Sequence, residues 1–156
     1  MTDWITGMMQ IGMSFIGCLG FAVLFNVRGG KVFLAALGGG ISWALFLVMA
    51  PWLPNIPYRY FICACFIASY AEVLARILKT PATTFLIPSM IPHIPGSSLY
   101  ETMRFALYKE WMDCLSQAFY TIKLALALAL GSAVILTIFR VAAIIRQRGI
   151  KEEVHL

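Results

Sequence analysis

Charged side chains are scarce in this chain, and several familiar functional motifs are missing. Lys, Arg, Asp and Glu together supply 12% of the 156 residues, about half the share of an ordinary soluble domain. The sequence leaves no room for a second, soluble domain. Histidine occurs twice and cysteine four times. Cys18, Cys63, Cys65 and Cys114 lie within or beside apolar runs, and Cys63-Ala64-Cys65 has the wrong spacing for a zinc or thioredoxin motif. They read as small packing residues, and no metal and no cofactor is expected. A Ser/His/Asp set and a phosphate loop are also missing: "RGGK" at 28–31 is too short and adjoins no strand. The chain does not read as an enzyme. Its net charge of +5 does not point to nucleic acid either, because the cations flank apolar runs and form no separate basic face.

What is present is apolar. Hydrophobic residues make up 61% of the chain and the mean hydropathy is +0.85. Crossing roughly 30 Å of hydrocarbon takes about 20 apolar residues in a helix. Spans are expected at about 4–25, 32–50, 58–78 and 117–139, and a weaker one at 81–95 is broken by prolines. The first has no basic leader and no small-residue cleavage site, so it is expected to be retained rather than removed as a signal peptide. "NVRGGK" (26–31) makes a tight hairpin between the first two spans, and "PWLPNIP" (51–57) separates the second from the third. An amphipathic helix is expected over 98–112 and a basic tail over 140–156. The whole is a single all-α integral membrane domain.

Lys and Arg collect in short cytoplasmic loops, so charge orients the spans. If 81–95 crosses once, Arg28, Lys31, Arg76, Lys79, Arg140 and the tail cations share one side, which carries net +6 against −1 opposite. That predicts five crossings, with the N-terminus outside and the C-terminus cytoplasmic. A re-entrant 81–95 would move the basic tail outside and fits the rule less well.

The most informative stretch is "PSMIPHIPGSSLY" at 88–100. Pro88, Pro92 and Pro95 each remove a backbone donor, leaving the carbonyls of Thr84, Pro88 and Ile91 without helical partners. Non-helical backbone at membrane depth is tolerated only inside protein or beside a watery cavity. Ser98-Leu99-Tyr100-Glu101 then has the form of a capping box opening a new helix, whose free N–H groups suit a carboxylate. Broken helices of this type hold substrate in many transporters. A proline-rich interfacial loop followed by a surface helix accounts for the same spacing, and the residues alone leave both open.

Pro92, Pro95, Gly96 and Tyr100 resemble the Pro-x-x-Pro-Gly-x-x-x-Tyr signature in the C-terminal half of the threonine/serine exporter family. "FNVRGGKVFLAALGGG" (25–40) is similar to that family's first hairpin, with Phe25-Asn26-Val27 before the turn and Gly38-Gly39 in the second helix, next to Gly40. The resemblance covers nearly the whole chain. It implies a subunit of a bacterial inner-membrane secondary transporter, driven by the proton gradient, that exports small carboxylated solutes. Threonine- or serine-type amino acids are one substrate class, and succinate-like dicarboxylates are the alternative. Short members pair with a larger membrane subunit, so this chain would be half of the machine.

Ionisable residues at membrane depth are functional candidates. Glu72 and Arg76 form a favourable i,i+4 pair, and Glu72 is a candidate for proton coupling. Lys123 either snorkels to the outer interface or meets a substrate carboxylate. The expected substrate pathway comprises Pro88, Pro92, His93, Pro95, Gly96, Ser97, Ser98, Tyr100 and Lys123. Ala36, Gly40 and Ala44, and likewise Ala125, Ala129 and Ala133, recur every four residues as close-packing faces, within the chain, against the partner or against a second copy. Two other readings stay open: a structural subunit that never touches substrate, and a channel-forming homo-oligomer.

Overall fold

The computed structural model describes residues 2–154, with side chains described over 4–145. The described residues are all helical apart from turns and short connections: α1 (Thr2–Leu24), α2 (Lys31–Val48), α3 (Ile56–Ile77), α4 (Thr83–Met90), a 3₁₀ turn (Ile91–His93), α5 (Gly96–Leu107) and α6 (Trp111–Val154). Four of them, α1, α2, α3 and α6, are long and apolar enough to cross a membrane.

The helix ends follow from local chemistry. α1 closes in a Schellman motif, with Val27 N–H bonded to Ala22 O, Asn26 N–H bonded to Val23 O, and Asn26 in the left-handed region at φ 56°. Gly29, at φ 69°, completes the hairpin. α5 ends in the same way through Lys109 (φ 61°), with Glu110 N–H bonded to Phe105 O and Lys109 N–H to Ala106 O. α3 begins two residues before the expected span, because Pro57 sits in its first turn, where a missing N–H costs nothing.

Contacts fix the directions. α1 and α2 are antiparallel, with Ala22 packed by Ala35 near the turn and Gly7 facing Leu47 at the far end. α3 runs antiparallel to α2: Tyr70 Oη donates to Leu34 O at 2.7 Å, and the Tyr60 and Phe46 rings meet at 5.4 Å. α6 is parallel to α3, since Tyr60 clusters with Leu124, Cys65 Sγ donates to Gly131 O, and Arg76 donates to Phe139 O. α4 begins beside the α1–α2 turn, where Phe85 packs with Ala22, Ala35 and Ala71. The following 3₁₀ turn reaches Phe46 and Tyr60 near the opposite end. The proline segment therefore lies along α2 for most of its length.

Close approach rests on small residues. A Cβ at Gly38 would meet Ser89 Oγ at 2.5 Å and Tyr70 at 2.7 Å, one at Gly39 would collide with Cys18, and one at Gly40 would touch Phe15 at 3.4 Å. The three glycines thus seat α4, α3 and α1 on one helix. Ala36 is buried on the same helix. On α6, however, Ala125, Ala129 and Ala133 are exposed, and among the described residues Thr121, Leu124, Leu128 and Gly131 are the buried positions.

Three sequence expectations need correction. The helix after the break occupies 96–107 rather than 98–112, because the Lys109 turn ends it and α6 starts at Trp111. The last helix is not confined to 117–139: α6 runs unbroken for 44 residues, through most of the basic tail. Ser98 and Glu101 form no capping box, since α5 starts at Gly96 with Pro95 as its N-cap residue and no side chain capping it. The side chains of Asp3, Arg146, Arg148, Lys151, Glu152 and Glu153, which enter the charge count, lie outside the described residues.

Candidate functional site

The backbone solves its proline problem locally. Pro88 lies within α4, after which the chain tightens. Ile91 N–H bonds back to Pro88 O, and Ile94 N–H bonds to Ile91 O at 3.1 Å. Two of the three carbonyls expected to lose their partners thus accept i→i+3 bonds, as a 3₁₀ geometry permits. The chain breaks only at Ile94 (ψ 122°) and Pro95, after which Leu99 N–H opens the α5 ladder on Pro95 O at 3.0 Å.

This tightening drives His93 into the protein. His93 is fully buried, with ring centroids 5.6 Å from Trp43, 5.9 Å from Phe46 and 6.0 Å from Tyr60, all edge-on. Among the described residues neither ring nitrogen has a hydrogen-bond partner, and buried Trp43 Nε1 and Arg59 Nε are also unpartnered. Buried polar atoms are normally satisfied, so four orphans in one neighbourhood call for an explanation. The Arg59 guanidinium lies over the Phe46 ring at 4.7 Å. Trp43, His93 and Arg59 are therefore gathered round a single phenyl ring.

A cavity opens near each end of α4, its lining mostly apolar with a few polar side chains. At the hairpin end, about 250 Å³ is bounded by Asn26, Val27, Thr83, Thr84, Ile87 and Pro88. Two segments singled out in the sequence, Phe25-Asn26-Val27 and the proline stretch, meet there. At the other end, about 290 Å³ lies between Gln10, Met13 and Ser14 of α1, Trp43 of α2 and Pro92. Between the two, Ser89 donates to Ala35 O at 2.8 Å against Gly38. The segment is closed in its middle and open at both ends.

The remaining pathway candidates separate. Pro88 and Pro95 are buried and Pro92 partly so, while Gly96, Ser97 and Tyr100 are exposed. A Cβ at Gly96 would meet nothing within 4 Å among the described residues, so none of them demands a glycine there on steric grounds. Ser98 is buried between α5 and α6, 2.8 Å from Thr121 Oγ1, and accepts from Gln117 Nε2 at 3.0 Å. Gln117 also donates to Glu101 at 2.9 Å, which ties the two helices together. Lys123 lies elsewhere, in a cleft between α3 and α6. Glu72 and Arg76 pair at 3.3 Å, with Arg76 stacked 4.4 Å over Phe139. Tyr60 and Glu72 are twelve residues apart on α3, roughly 18 Å of helix rise, so the ion pair is remote from His93.

Sequence reasoning missed Arg59 and Trp43. Arg59, two residues after Pro57, enters the sequence reading only through the net −1 charge of the outer side. Its place in the first turn of α3, one residue before Tyr60, was the available signal, since it fixes Arg59 beside the face that packs on α2.

The family model for the threonine/serine exporter ThrE matches residues 10–138, which includes both cavities, the glycine run and the proline break. No curated protein and no solved structure matches the chain. With that match over most of its length and four long apolar helices, the chain is a multi-pass membrane protein that belongs to the threonine/serine exporter family.

Proposed function

We propose that the chain is one subunit of a bacterial inner-membrane exporter, driven by the proton gradient, in which a small carboxylated solute passes along the α4 segment. The observation that carries this reading is a cavity near each end of that segment, one reached by Asn26, Thr83 and Thr84 and the other by Gln10 and Ser14, with close-packed Ser89 and Gly38 between. An occluded path flanked by two openings suits a transporter that exposes one site to each side in turn. Trp43, His93 and Arg59 supply polar groups that lack partners among the described residues, and a solute carboxylate would satisfy the donors among them.

The membrane topology fits the same reading. With α4 and the 3₁₀ turn counted as a crossing, the proposal has five, and the gathering of Arg28, Lys31, Arg76, Lys79 and Arg140 at one end of the bundle supports a cytoplasmic assignment of that end. The larger subunit would cover apolar faces that this chain leaves open, among them the Ala125, Ala129 and Ala133 stripe.

Reconstitution tests the proposal. Proteoliposomes holding this chain together with the larger subunit should show saturable efflux under an imposed pH gradient, and threonine and succinate assayed in parallel identify the substrate class. Efflux from this chain alone would mark a self-sufficient transporter or a channel. No efflux in either case would leave a structural subunit. In the active preparation, Glu72→Gln should uncouple efflux from the pH gradient, because an amide carries no proton between the two sides. Unchanged coupling would remove Glu72 from the proton path and leave its pair with Arg76 as a packing contact.

A further inference from the structure

We infer that the cleft between the first turns of α3 and the middle of α6 binds an anionic phospholipid, with Lys123 on the headgroup phosphate. The cleft holds about 640 Å³ and is lined by Asn55, Tyr58 and Phe61 on one wall and by Lys123, Leu126 and Leu130 on the other. Because α3 and α6 run parallel, both walls read in the same direction. Asn55, Tyr58 and Lys123 come first, and Phe61, Leu126 and Leu130 follow. Seven residues of α6 separate Lys123 from Leu130, about 10 Å of rise along the helix. One end is therefore cationic with polar neighbours, and the remainder is hydrocarbon.

That order matches a lipid. A phosphate at Lys123 and Tyr58 leaves an acyl chain lying against Phe61 and Leu130, so charge meets charge and hydrocarbon meets hydrocarbon. A free dicarboxylate would satisfy the lysine but set its second charge against leucines, at the cost of desolvating it. The lysine has no competing partner, since among the described residues Glu72–Arg76 is the ion pair present. Lys123 also points away from the α5 contact, because Thr121, two positions earlier, faces Ser98 on the other side of α6. The lipid site and the α4 segment are thus independent, and the exporter reading can fail without it.

Native mass spectrometry of the full chain in neutral detergent provides the test, with phosphatidylglycerol and phosphatidylcholine offered in equal amounts. Phosphatidylglycerol should be retained about fivefold more, the preference one lysine gives near a membrane surface. Lys123→Met should bring the two lipids level, Lys123→Arg should keep the preference, and Leu126→Trp should lower retention of both by filling the hydrocarbon part. Thermal unfolding without added lipid checks that each variant is folded. Equal retention of the two lipids by the wild type, or an unchanged preference in Lys123→Met, would overturn the assignment. Displacement of phosphatidylglycerol by millimolar succinate or inorganic phosphate would also overturn it, showing a site for small anions.

Discussion

Exchanging the buried imidazole for a hydrocarbon, His93→Leu, should abolish export while leaving the protein at least as heat-resistant as before. His93 has no exposed surface and, among the described residues, no partner for either ring nitrogen. Each buried polar atom left unsatisfied costs about 1–3 kcal/mol, and His93 carries two. The edge-on contacts with Trp43, Phe46 and Tyr60 give back about 0.5–1.5 kcal/mol each at most, and a leucine in the same space keeps much of their apolar contact. On packing grounds alone, then, histidine is a poor choice for this position. A residue that weakens the fold where it stands is expected at a working site, and its removal trades activity for stability. His93→Gln, which keeps a donor and an acceptor, should retain part of the efflux. The measurements are thermal unfolding of the purified chain and threonine or succinate efflux from proteoliposomes with the proposed larger subunit. Normal efflux from His93→Leu would exclude the residue from the pathway. Loss of folding together with efflux would make it a packing residue whose nitrogens are satisfied by water.

Much of the architecture was legible because hydrocarbon imposes simple rules. Long apolar runs had to be helices, and "NVRGGK" had to turn, since Asn26 and Gly29 are residue types that accept a positive φ. The proline stretch was legible as a place where the chain departs from an α-helix. How it departs was not, because the choice between an exposed loop and a tight 3₁₀ turn depends on what lies opposite. Trp43, Phe46 and Tyr60 supply an aromatic recess for His93 from two other helices, and no local spacing reveals that. The capping box failed for a similar reason. Ser98 does have a hydrogen-bond role, but its partners are Thr121 and Gln117 on α6, and tertiary contact prevailed over the local motif.

The small-residue faces show where periodicity stops being informative. Every-fourth-residue spacing marks a face that permits close approach without saying which helix approaches, or whether one does. On α2 the glycine run is used three times over. On α6 the alanine stripe at 125, 129 and 133 is exposed, and the contact with α3 is made by a face that a search for repeated alanines passes over.

Gly131 is the centre of that contact, and Gly131→Leu should separate α3 from α6. A Cβ there would lie 2.6 Å from Phe61 O and 2.8 Å from Ala64 Cβ, with Cys65 N at 3.4 Å. Two of these atoms are backbone inside a helix, so they cannot swing aside as a side-chain end can. Relief requires the helices to move apart, at the expense of the Cys65–Gly131 bond and the burial of Ala64, Leu124 and Leu128. Overpacking typically costs about 1–3 kcal/mol, and a leucine here should reach or exceed the top of that range. Alanine should already show a clear fall in melting temperature. Gly12 and Gly17 on α1 provide the control, because a Cβ at either meets no atom within 4 Å. Alanine at those positions should leave the isolated chain unharmed or stabilise it by up to about 1 kcal/mol through helix propensity. Thermal unfolding and size-exclusion profiles in detergent distinguish the cases: a Gly131→Leu protein that melts like the wild type would mean that α3 and α6 are not packed through this glycine. If instead Gly12→Ala or Gly17→Ala spares the isolated chain but prevents it from associating with the proposed larger subunit, the open face of α1 is where that subunit would sit.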